Sequence, residues 1–286
     1  IGAAPIILTN KTPITRQTMD ACPNLRYIGV LATGFNVIDI AAAKEKGIVV
    51  ANVPSYGTQA VAQFVMAQLL EICHRIGHHN DAVQQGRWTA CRDFSFWDYP
   101  LMELAGKTFG IVGYGRIGQA TAELARAFGM NVICYSRHGS GEGYVPLDEL
   151  YARSDIVSLH CPQTPENVGM IDKTALAKMK DGVILVNTSR GGLVKTDDLI
   201  EGIRARKFFG VGLDVYEEET PNVFEDRSDE ILEHSTTARL LSFPNVMITS
   251  HQGFFTEEAL RAIAETTLQN ALDFEAGKET PNIVRA

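Results

Sequence analysis

The sequence predicts an α/β protein, with a Rossmann-type doubly wound parallel sheet joined to a second, flavodoxin-like α/β domain. Three observations predict it. Short apolar runs alternate with longer segments of helical period, which is the rhythm of parallel strands and crossover helices. That rhythm occurs twice, on either side of one long helical segment. The second occurrence begins with glycines spaced as Gly113, Gly115 and Gly118, between an apolar run and a helix.

In chain order, Ile6-Ile7-Leu8, Tyr27-Ile28-Gly29-Val30-Leu31 and Ile48-Val49-Val50 read as short buried strands. Residues 37–46 between the last two are helical in pattern, and Gly47 follows in the position that closes a helix. Residues 58–85 keep an apolar face through Ala60, Phe64, Ala67, Leu70 and Ile72, and read as one long helix connecting two domains. Six further strands are expected at 109–112, 131–135, 156–159, 183–186, 210–213 and 246–248, the count of a dinucleotide-binding sheet. Residues 256–277 read as a final long helix that packs back on the first domain. The expected division is therefore 1–83 with 256–286 as one domain, and 84–255 as the dinucleotide-binding domain inserted within it.

The run Val112-Gly113-Tyr114-Gly115-Arg116-Ile117-Gly118 fits GxGxxG in the context that gives the pattern meaning, after a strand and opening a helix. Gly113 permits the tight turn, Gly115 lets the backbone approach a pyrophosphate, and Gly118 lets the helix lie close to the sheet. The helix start, with Arg116 and Ile117, offers free N–H groups to phosphate. Where an NAD-preferring site usually has a carboxylate, this sequence has Ser136 followed by Arg137. Neither repels a 2′-phosphate, so the pair points to NADP, with NAD also accepted.

Three strand-end segments carry unusual polar residues: Asn187-Thr188-Ser189-Arg190-Gly191, Asp214-Val215-Tyr216-Glu217-Glu218-Glu219, and Thr249-Ser250-His251-Gln252-Gly253. Ligands of open α/β sheets bind at this edge. Reducing a 2-oxo acid requires a grip on the carboxylate, polarisation of the ketone, and a proton for the developing alkoxide. Arg190 suits the first two tasks. His251 suits the third, and Glu219 beside it would stabilise the protonated ring.

Over essentially its whole length the chain resembles the D-isomer-specific 2-hydroxyacid dehydrogenases. The resemblance rests on Asn187–Gly191, on the acidic segment ending at Glu219, and on 244–251, which ends in the histidine. It implies NAD or NADP as cofactor, a hydride exchanged with a small 2-oxo acid, and the set Arg190, Glu219 and His251 as the catalytic residues. It also implies that Thr33 and Gly34 lie in a loop whose N–H groups hold the substrate carboxylate, and that Tyr56 and Phe254 wall the pocket. Cys161, Pro162 and Asn167 match a cofactor-contacting loop, and Thr188, Ser189 and Asp214 should flank the nicotinamide. Residues 92–105 are similar to the glycerate dehydrogenase or hydroxypyruvate reductase branch, and 199–286 to D-lactate dehydrogenases. Hydroxypyruvate, glyoxylate, pyruvate or a bulkier 2-oxo acid therefore remain as substrates. The family has a strand and a helix before the point where this sequence starts, so an N-terminal piece is expected to precede Ile1. A homodimer built by the long helix and the segment after it is implied as well.

Composition narrows the alternatives. A net charge of −8 argues against nucleic acid or an anionic membrane as the main partner. The five cysteines are odd in number and none has CxxC spacing, which reads as free thiols in the cytoplasm rather than a disulfide framework. His74, His78 and His79 read as a polar helix face, not a metal site. Formate or phosphite dehydrogenases of the same superfamily fit less well, because the formate branch has glutamine where Glu219 stands. A non-catalytic, dinucleotide-sensing regulatory protein of the same family keeps Arg, Glu and His, and is the alternative function.

Overall fold

The computed structural model describes residues 1–219 and 236–285. Contacts group them into two compact units, Ile1–Gly57 with Phe254–Ala286, and Thr58–Gly253.

The first unit opens with a three-stranded parallel sheet, β1 (Ile6–Thr9), β2 (Tyr27–Val30) and β3 (Val49–Ala51), in that spatial order. Two short helices connect them, α1 (Arg16–Asp20) and α2 (Ile40–Glu45). Asp39 starts α2 by accepting from the N–H of Ala42 at 2.9 Å, which satisfies one of the donors that every helix start leaves open. Ile28, Val30, Ile38, Ala42 and Val50 form the core between sheet and helices.

The second unit begins with α3 (Thr58–His74) and α4 (Ile76–Gln84). The sequence reads as one helix here, but Arg75 has a left-handed φ of 50° and breaks it. The side chain of Glu71 folds over the break and accepts from the N–H of Gly77, and the Arg75 guanidinium lies over the ring of Tyr99. Six parallel strands follow: β4 (Thr108–Val112), β5 (Asn131–Tyr135), β6 (Ile156–Leu159), β7 (Val183–Asn187), β8 (Phe208–Leu213) and β9 (Val246–Ile248). Their helices are α5 (Arg116–Ala127), α6 (Leu147–Arg153), α7 (Lys173–Lys178), α8 (Thr196–Arg204) and α9 (Thr236–Leu241). The strand order is β5-β4-β6-β7-β8-β9, with a further parallel bridge from Cys134 to Tyr144 beyond β5. The order reverses between β4 and β6, and a doubly wound sheet opens its ligand crevice at such a point.

Two apolar layers cover this sheet, which explains why its strands read as unbroken apolar runs. On one face Val65, Leu69 and Ile72 of α3 join Ala122 of α5 against Phe109 and Ile111. On the other, Leu150, Leu176 and Leu199 cover Val157 and Leu185. Residues 58–83, which the sequence suggests belong with the first domain, therefore pack with the dinucleotide unit, because the apolar stripe of α3 faces α5 and the sheet.

The chain returns to the first unit through α10 (Glu257–Glu275), capped by Thr256. Phe274 stacks on Tyr27 of β2 with ring centroids 4.9 Å apart. Asn270, buried, donates to the carbonyl of Asn52 at 3.1 Å and accepts from Thr280 and Asn282. The five cysteines are unpaired thiols.

Candidate active site

The glycine turn forms as its spacing predicts. Gly113 has φ +100°, and a Cβ there would lie 2.5 Å from the Cys161 nitrogen. A Cβ on Gly118 would lie 2.3 Å from the carbonyl oxygen of Gly113. Both positions therefore exclude any side chain. Gly115 differs: a Cβ there would meet no atom within 4 Å, so the glycine faces open space. It is the N-cap of α5 and supplies no side chain to cap it, so the first N–H groups of the helix stay available. An open, cap-free helix start behind two close-packed glycines fits the pyrophosphate of a dinucleotide. Arg116 is exposed and Ile117 half-buried at this edge.

Ser136 and Arg137 follow the end of β5. Arg137 donates to the Thr164 hydroxyl at 3.3 Å and lies 4.0 Å from Glu166, so its charge is shared with a carboxylate. The strip from His160 to Asn167 is tightly tied. The N–H of His160 donates to the Val112 carbonyl at 2.8 Å. Asn167 donates to the Pro162 carbonyl at 2.8 Å and accepts from the N–H of Thr164. The Ser189 hydroxyl donates to the Cys161 carbonyl at 2.6 Å, which joins this strip to the end of β7. His160 shares a hydrogen bond with Ser158, and burial pushes its pKa down to about 4, so the ring is neutral near pH 7. Burial also raises the Cys161 thiol, which leaves it a poor nucleophile. Thr188 buries a hydroxyl oxygen with no partner among the described residues, an orphan polar group at the crevice edge that suits a ligand contact.

Arg190 is exposed in an extended backbone, and its guanidinium donates to the Ser189 carbonyl at 2.7 Å. Fully buried Asn187 sets this backbone. It donates to the Arg190 carbonyl at 2.9 Å and accepts from the N–H of Ser189. A Cβ on Gly191 would fall 2.0 Å from the Tyr216 carbonyl oxygen, so the arginine loop lies against the loop that carries Glu219. Glu219 in turn hydrogen-bonds Nδ1 of His251. The structure thus joins the glutamate and histidine directly.

Asp214 does more than the sequence suggests. It is 3% exposed, and its carboxylate accepts from the Thr249 hydroxyl at 2.6 Å and from the N–H groups of Gln252 and Gly253 at 2.9 and 2.8 Å. It is the hub of the turn that carries His251. Asn187 and Thr249 fall in the polar strand-end segments, but the sequence assigns neither of them a role. The available signal is a polar side chain next to a buried strand with no solvent to satisfy it.

In the first unit, Tyr56 and Phe254 meet edge to face with centroids 5.8 Å apart. The Thr33 hydroxyl donates to the Val53 carbonyl at 2.9 Å, and Asn52 donates to the Thr33 carbonyl. No hydrogen bond of the described residues uses the N–H groups of Thr33 and Gly34, which leaves two adjacent donors in one loop. Among the described residues no cluster of three metal-ligating side chains is present. His78 is bonded to Asp98 at 2.7 Å, and His79 to the Arg75 carbonyl.

Comparison with known proteins points the same way. A family model described as D-isomer specific 2-hydroxyacid dehydrogenase, NAD binding domain, matches residues 66–253. A hydroxypyruvate reductase of Blautia hydrogenotrophica is 46% identical over 283 residues, 97% of this chain and 84% of that protein. A D-lactate dehydrogenase of Escherichia coli is 38% identical over 90% of this chain and 78% of its own length. The crystal structure of an Aquifex aeolicus D-lactate dehydrogenase complexed with NAD and lactic acid aligns with a TM-score of 0.86 at 32% identity, covering 98% of this chain and 86% of that one.

Proposed function

The chain belongs to the D-isomer specific 2-hydroxyacid dehydrogenase family, and on that premise we propose that it reduces a small 2-oxo acid to the D-2-hydroxy acid, with hydroxypyruvate foremost and glyoxylate and pyruvate as further substrates. The observation that carries the reading is the hydrogen bond between Glu219 and His251 at the carboxyl edge of the sheet. The 46% identity to a hydroxypyruvate reductase supports the choice of substrate.

The bound nicotinamide supplies the hydride in reduction and accepts it in oxidation. Gly113, Gly115, Gly118 and the start of α5 would hold its pyrophosphate, with Cys161, Pro162, Asn167, Thr188 and Ser189 along the crevice. Arg190 holds the substrate carboxylate and polarises the ketone oxygen. Within the first unit, the loop N–H groups of Thr33 and Gly34 suit a carboxylate, and Tyr56 and Phe254 meet as an aromatic wall. His251 gives its proton to the oxygen as negative charge develops there, and takes it back in oxidation. Glu219 holds the ring through Nδ1 and stabilises the imidazolium, and Nε2 is the atom that exchanges the proton with the substrate oxygen.

Ser136 and Arg137 admit NADP(H) beside NAD(H), because no carboxylate follows β5 to repel a 2′-phosphate. The partial neutralisation of Arg137 by Glu166 at 4.0 Å argues for dual use rather than strict NADP preference. The free thiols fit a reducing cytoplasm. A second copy of the chain is the partner that fits the exposed aromatic segment after α4, where Phe94 is 93% and Trp97 68% exposed.

The test is absorbance-followed oxidation of NADH and NADPH with hydroxypyruvate, glyoxylate and pyruvate in parallel. Turnover is expected with all three, fastest with hydroxypyruvate, and Arg137→Gln should lower turnover with NADPH more than with NADH. Cofactor binding without turnover of any acid would favour the dinucleotide-sensing alternative instead.

A further inference from the structure

Resting on the reading of His251 as the proton donor, we propose that Gln68 and Thr249 are positioning residues for that histidine, acting through the carboxylate of Asp214. His251 has a backbone φ of +52°, in the left-handed region that a residue with a side chain seldom adopts. Such a conformation persists only where its surroundings impose it. Here the His251 N–H donates to the carbonyls of Asp214 and Thr249 at 3.0 and 3.1 Å. The Asp214 carboxylate holds the next two N–H groups, those of Gln252 and Gly253. A Cβ on Gly253 would lie 3.0 Å from that carboxylate, so the turn is pressed against it.

The third donor to Asp214 is the Thr249 hydroxyl. A hydroxyl has one hydrogen. With that hydrogen directed at Asp214, Thr249 can only accept from Gln68, whose amide nitrogen lies 3.1 Å away. The acceptor-only carboxylate of Asp214 thus sets the direction of the relay, and Gln68, by donating, holds the Thr249 oxygen in place. It sits on the apolar face of α3 among Val65, Leu69 and Ile72 and is 2% exposed. Its amide oxygen has no partner among the described residues. An apolar side chain would pack at this position without leaving a carbonyl unsatisfied. What the amide adds is the donor that orients Thr249. The sheet leaves room for it, since a Cβ on Gly212 would lie 3.1 Å from the Gln68 oxygen.

Among the described residues, Glu219 meets the histidine at Nδ1 and Asp214 lies beneath the turn. If the relay is cut, the turn relaxes from its left-handed form and the ring slips from Glu219. The ring then loses the Nδ1 hydrogen bond that orients it for proton transfer.

The experiment compares the imidazole nitrogen resonances of the cofactor-free protein by NMR at one fixed pH, with the His251 signals identified by their loss in His251→Gln. Gln68→Met keeps the side-chain length without the amide, Thr249→Val keeps the shape without the hydroxyl, and Thr249→Ser keeps the hydroxyl. In Gln68→Met and Thr249→Val the Nδ1 resonance of His251 should move from its wild-type position as the hydrogen bond to Glu219 is lost, and in Thr249→Ser it should stay. In turnover, the first two should lose about 10-fold in kcat with KM for NADH unchanged, less than the ~10²-fold that a 1 Å misplacement can cost. A wild-type Nδ1 resonance in folded Gln68→Met and Thr249→Val proteins overturns the inference. If Thr249→Val does not fold, Gln68→Met decides. Should the resonance move while His251→Gln keeps full turnover, the relay stands and the proton-donor reading falls.

Discussion

At the scale of single residues, the polar groups proposed to do chemistry are few and their supports are many. The sequence singles out Arg190, Glu219 and His251 because each lies in a polar segment that follows a buried strand. The roles of Thr249 and Gln68 are not legible, because they depend on a partner 181 positions away along the chain, and that of Asn187 depends on the conformation of the loop that it holds. Replacing His251 by Gln should lower turnover at least ~100-fold, the lower bound of general acid–base catalysis; steady-state kinetics with hydroxypyruvate checks this, and unchanged turnover removes the assignment. His160 carries a prediction about stability. Its pKa is depressed to about 4 in the folded state, against ~6.5 in the unfolded chain. The unfolded state thus binds a proton first as pH falls, so stability is full above pH ~6.5 and declines down to pH ~4, by about 3 kcal/mol at most. In urea melts, His160→Gln should show a shallower loss over that window than the wild type.

At the scale of elements, strands were easier to read than helix ends. The strands of the larger sheet are apolar runs because both faces are covered, and their boundaries in the structure lie within two residues of the expected ones. The break between α3 and α4 escaped the sequence because its left-handed residue is an arginine, while Gly77 lies two positions on, inside α4. It depends on Arg75 adopting a left-handed φ, with Glu71 and Tyr99 as neighbours distant from it in sequence or obscure in pattern. Arg206, one residue past the cap of α8, has the same kind of conformation, with φ +58°. Glycine is the residue that ends helices this way without strain. Arg206→Gly should therefore raise unfolding stability by about 1 kcal/mol, read from the midpoint of chemical denaturation, and a loss of stability would show that the arginine side chain matters more than its backbone.

At the scale of the whole molecule, the family and the parallel two-sheet architecture are both apparent from the alternation of elements and one glycine motif. The allotment of the connecting helix is not, since an amphipathic stripe shows that a helix is covered but not by which sheet. The aromatic segment after α4 is the other large-scale feature. Asp98 binds Arg87 and His78, and the Arg87 hydrogen bond, with His78 second, holds its carboxyl down to about 2. Arg87 also lies over Phe96 at 4.6 Å. The exposed Phe94 and Trp97 are thus presented on an anchored loop, as a self-association surface requires. If the proposed self-association runs through this loop, Phe94→Asp with Trp97→Asp should lower the sedimentation coefficient, and an unchanged coefficient removes the loop as a self-association surface.

The first unit is assembled from two stretches of sequence, with Thr58–Gly253 between them. During synthesis the ribosome completes the six-stranded sheet while Tyr27 and Asn52 still lack Phe274 and Asn270, the side chains that close over them. Strands β1 to β3 are therefore made before that sheet and mature after it, and a nascent chain halted before α10 exposes β2 to whatever chaperone or protease reaches it.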